Sequence, residues 1–137
     1  MQAALIRTLS ARRAQIRARW EAFLRIERVN TPLANPDTLV YLFDDTLKEV
    51  FAMLQEPPAR RSPGPLEPAS GNNPLIAYFI AGEQALLEAL ILAQAGSPSL
   101  DPAVRDTELA ELKSAIRTIA RRELGTWDGL CQPKKAG

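Results

Sequence analysis

The chain has 137 residues, with 17 lysines and arginines against 16 acids, a net charge of +1 and no histidine. That balance supplies no general pull toward nucleic acid or an anionic membrane, and the lack of histidine removes the commonest general base and transition-metal ligand. A single cysteine, Cys131, excludes an internal disulfide and points to a reducing, cytoplasmic setting.

Residues 2–29 are expected to form a long first helix, with Leu5, Leu9, Ile16, Trp20, Phe23 and Leu24 at helical spacing. It carries seven arginines against Glu21 and Glu27. Its arginine-rich, acid-free start has no apolar region of a secretory signal. In composition it is like a mitochondrial transit peptide, but the periodicity continues past Trp20, so it reads as a solvated basic helix face. A second helix is expected over residues 36–55. Asn35 would cap it, Pro36 would sit at its first position and Asp37 would favour the N-terminal dipole. Leu39, either Leu42 or Phe43, then Leu47, Val50 and Leu54 would face inward. Asp37, Asp44, Asp45 and Glu49 oppose a lone Lys48, so this helix should pair along its edges with the basic first one.

Residues 56–73 hold five prolines, two glycines and two serines and are expected to be a flexible loop. Pro65-Leu66-Glu67-Pro68 has the PxxP spacing of a docking segment, a pattern common by accident. The third helix is expected over Pro74–Ala95, capped by Asn73 and ended by Gly96. Leu75, Phe79, Leu86, Leu90 and Ala93 give one stripe; Ile76, Ile80, Leu87 and Ile91 give a second. Such a helix is either central or presents its second face to another subunit. Glu83, Gln84, Glu88 and Gln94 argue against a membrane span. Ala81-Gly82 marks a place for close helix approach. The fourth helix is expected over residues 102–124, capped by Asp101 with Pro102 at its first position, striped by Leu109, Leu112, Ile116 and Ile119, and ended by Gly125 as a left-handed cap.

No alternating β-branched or aromatic run and no hairpin turn signal is present. The expected fold is all-α: a four-helix bundle, up-down and antiparallel, with a long first helix and a Pro-rich loop between helices 2 and 3. One domain would span residues 1–130, with 131–137 a disordered tail.

No catalytic or cofactor constellation emerges. A di-iron bundle needs Glu-x-x-His pairs, structural zinc needs several cysteines or histidines, and haem would have only Met53, a tyrosine or Cys131 as ligand without a supporting motif. Neither GxSxG nor GxxxxGK[ST] occurs, and Cys131 near Lys134 and Lys135 lacks a histidine base. The arginines are spread around the first helix, with Arg60-Arg61 beyond it, and no helix-turn-helix spacing is recognisable, which argues against nucleic-acid binding. Tyr78, Glu83 and Gln84, polar groups in an otherwise apolar helix, are the candidate residues for an interaction or a buried polar network.

Arg19-Trp20 with Leu24, then the capped Asn35-Pro36-Asp37 start, then a hydrophobic third helix, resemble the N-terminal sensory domain of stressosome RsbR-type (RsbRD-like) regulators. The resemblance implies an all-helical, globin-related and usually dimeric domain that binds no haem. The STAS domain that follows in those regulators has no counterpart here, which implies a stand-alone relative. The expected function is therefore a non-enzymatic regulatory or sensory bundle acting through protein–protein contacts, as a homodimer with a further protein partner unknown, without cofactor, membrane or nucleic acid. The alternative is a small-molecule-binding helical module with an apolar cavity.

Overall fold

A computed structural model of the chain describes residues 1–26, 39–56, 74–97 and 99–131. Among them all regular structure is helical, in five helices: α1 (Ala3–Ala11), α2 (Arg13–Ile26), α3 (Phe43–Leu54) entered through a 3-10 turn at Val40–Leu42, α4 (Pro74–Ala95) and α5 (Pro102–Cys131). The all-helical reading holds. The caps at Asn35 and Asn73 and the loop 57–73 lie outside the described residues, as do residues 132–137 of the expected tail.

The long first helix is divided. At Arg12 the backbone leaves helical geometry (φ −94°, ψ 14°), and the Arg12 N–H donates to Leu9 O (3.0 Å) in a tightened final turn. The Arg12 carbonyl then accepts the Ile16 N–H (2.9 Å) to start α2. The physical cause is a missing rung. The positions three and four beyond Leu9, where an apolar stripe would continue, are Arg12 and Arg13. Burial resumes only at Ile16, and the turn resets the phase of the buried face.

Within α3, Phe43 and not Leu42 turns inward; Leu42 is 42% exposed. Asp101 caps α5, its Oδ1 accepting the Ala103 N–H at 2.9 Å. The left-handed stop at Gly125 is overturned, because α5 runs on to Cys131, which is therefore helical and not the first residue of the tail. A glycine also adopts right-handed helical geometry, at a cost of about 1 kcal/mol relative to alanine, and the next proline is Pro133, so nothing obliges the helix to end there.

The central element is α4, which packs along α2 on one side and α5 on another, while α3 rests chiefly on α5. One core runs through the molecule, from Leu9, Ile16, Trp20 and Leu24 through Phe43, Leu47 and Leu54 to Leu86, Leu90, Leu112 and Ile116. The basic and acidic elements meet only lightly: Arg17 and Asp44 lie 3.6 Å apart, both well exposed. At the chain start the Met1 ammonium lies 2.7 Å from the Glu111 carboxylate and donates to Leu54 O at 3.3 Å, joining the head of α1 to α3 and α5.

Candidate functional site

Three helices converge on Tyr78. Trp20 of α2 and Phe43 of α3 stack at 4.6 Å between ring centroids. Tyr78 lies 4.8 Å from the Trp20 ring and 5.8 Å from that of Phe43, and Phe79 meets Tyr78 edge-on at 5.0 Å. All four rings are buried, so their polar handles need internal partners. The Trp20 indole N–H donates to the Tyr78 carbonyl at 2.8 Å. The Tyr78 hydroxyl shares a 2.7 Å hydrogen bond with Thr46 Oγ1 of α3.

Gly82 makes this geometry possible. It sits one turn beyond Tyr78, beneath the Trp20 indole. A β-carbon there would lie 2.5 Å from Trp20 Cζ2 and 2.6 Å from Cε2. Carbon atoms at rest stand about 3.5–4.0 Å apart. Only glycine lets the indole lie against the α4 backbone and reach the carbonyl.

Beside this cluster a cleft of about 220 Å³ opens between α3, α4 and α5. Its apolar wall includes Leu75, Phe79 and Ile119, its base is the Thr46–Tyr78 hydroxyl pair, and Asp45, Glu49 and Glu123 line its rim. Burial pushes the Tyr78 phenol well above the ordinary tyrosine range. The Thr46 hydrogen bond offsets part of this, and the negative charge of Asp45, Glu49 and Glu123 adds to the rise.

The three residues singled out from the sequence fall in three environments. Tyr78 is at the centre of the cluster. Glu83 faces α5, where its carboxylate accepts from Arg117 Nε at 2.7 Å and Nη2 at 3.3 Å. That bond is the main cause of a raised Arg117 pKa. Gln84 is exposed. They do not form one network: Tyr78 binds α3 and Glu83 binds α5. Thr46 was missed, although its place three residues after Phe43 and four before Val50 puts a hydroxyl on the buried face of α3.

No family model, curated protein or solved structure matches the chain. Among the described residues no three of His, Cys, Asp and Glu gather as ligands for a metal ion. The cluster's chemistry is that of hydroxyl donors, ring faces and a negative rim.

Proposed function

We propose that the chain is a non-enzymatic regulatory or sensory helical module that acts through protein–protein contacts as a homodimer in the cytoplasm. In this reading α1 and α2 form one arm, bent at Arg12, of an up-down antiparallel four-helix bundle. An RsbR-type relationship belongs to the same proposal. The observation that carries it is the outer face of α4. The central position of that helix accounts for its first stripe, with Phe79, Leu86 and Leu90 buried. Its second stripe stays half-open along Ile76, Ile80 and Leu87, and ends in Ile91 and Leu92, which are 54% and 49% exposed.

Leu75–Ala95 is long and apolar enough to cross a membrane, with a mean hydropathy of 1.7. Its acids favour a protein neighbour instead. Glu83 is paired with Arg117, and Glu88 accepts from Arg19 Nε at 2.9 Å. A charged group paired with a neighbouring helix is suited to a packed helix rather than to lipid. Sedimentation equilibrium tests the dimer: a concentration-dependent dimer is expected, which the double substitution I91E/L92E dissociates. A clean monomer at high micromolar concentration refutes it.

The cleft beside Tyr78 favours a second reading, a small-molecule-binding helical module. A thermal-shift screen distinguishes the two, because a specific ligand raises the melting temperature by mass action while leaving the subunit count unchanged.

A further inference from the structure

The cleft has a chemistry that narrows its occupant. Thr46 and Tyr78 bring two hydroxyl hydrogens to one shared hydrogen bond. Whichever group donates, the other O–H is left over, and no acceptor for it is found among the described residues. Both side chains are more than nine-tenths buried and both line the cleft. Because both hydroxyls line the cleft, that spare hydrogen is available to an acceptor atom of a molecule bound there.

The rim sets the charge. Asp45, Glu49 and Glu123 are the charged groups that line the cleft. Arg122, outside the lining, pairs with Glu49 and lies 3.6 Å from Glu123. Among the described residues Asp45 has no ion-pair partner, so the local balance is negative. These carboxylates are not gathered as a metal-ion site. The opposite wall of Leu75, Phe79 and Ile119 suits an apolar body.

We propose that this cleft binds a small organic monocation: its apolar body against Leu75, Phe79 and Ile119, its ammonium facing Asp45 and the neighbouring carboxylates, and an acceptor atom taking the spare Thr46–Tyr78 hydrogen. This rests on the ligand-binding reading above and is independent of the dimer.

The test uses three probes of one shape on the full chain, followed by calorimetry and thermal shift: 2-phenoxyethylamine, 2-phenoxyethanol and phenoxyacetate. The amine is expected to bind saturably, at least tenfold more tightly than the alcohol, with no binding of the acid. D45N, at an exposed position, should weaken the amine at least fivefold while leaving the urea midpoint unchanged. T46V should reduce the amine's affinity more than that of phenethylamine, which lacks the ether oxygen. Binding of none of the probes, or equal binding of all three charges, overturns the proposal. Amine binding unchanged in D45N also overturns it: the ligand then lies elsewhere, and the broader ligand-binding reading survives.

Discussion

Substituting Gly82 by alanine sets two physical effects against each other. Helix propensity favours the change by about 1 kcal/mol, since Gly82 lies inside a 22-residue helix. Packing opposes it. The new methyl would stand 2.5 Å from Trp20 Cζ2, so the indole must withdraw by about 1 Å to reach ordinary contact. A withdrawal of that size carries the indole N–H, now 2.8 Å from the Tyr78 carbonyl, beyond hydrogen-bonding distance. Leaving that donor buried and unpaired costs about 1–3 kcal/mol, and overpacking the site costs about as much again. The expected net loss is about 3 kcal/mol, read as a lower urea midpoint with an unchanged slope and a melting temperature lower by roughly 10 °C. Trp20 and Trp127 are the chain's two tryptophans, so the accompanying change in emission is best read in a Trp127→Phe background. An alanine variant as stable as the parent, or more so, would refute the close-approach argument.

Three further outcomes follow from the same geometry. Thr46→Val and Tyr78→Phe should each cost about 1–2 kcal/mol in denaturant titrations, and the double variant less than their sum, with a coupling of about 1 kcal/mol; simple additivity would deny the shared hydrogen bond. Burial raises the Tyr78 pKa, so the folded chain holds that proton more tightly than the unfolded chain, whose tyrosine titrates near pH 10. Stability from this source is fully present below about pH 10 and is lost as pH rises above it. Tyr78→Phe should flatten that part of the pH–stability curve, and an unchanged curve would count against the burial effect. Asp101→Ala removes the Oδ1 acceptor of the Ala103 N–H and should cost about 1 kcal/mol of stability, read as a lower melting temperature; an unchanged one would deny the cap.

What was legible in the chain follows from local chemistry. Pro74 and Pro102 each open a helix at the residue where the missing N–H is harmless, and α4 spans the same residues that its proline and glycine boundaries mark. The interruption at Arg12 was harder to read, because arginine is a good helix former and only the lapse in the apolar stripe betrays it. Gly125 misled for the opposite reason: glycine permits a left-handed end but does not impose one. At the candidate site, a tyrosine in an apolar helix stood out, as did Gly82. Thr46 did not, since a lone threonine on an amphipathic helix reads as surface until its partner, 32 residues away, is known. The same distance problem hid Arg117 from Glu83.

Tyr78 offers its carbonyl to α2 and its hydroxyl to α3, two helices that otherwise share little beyond the Trp20–Phe43 stack. One residue is thus the hinge pin of a three-part clasp. Releasing either outer part would expose the same rings to water, so α2 and α3 are expected to open as a single unit, their slowest-exchanging amides sharing one protection free energy rather than two.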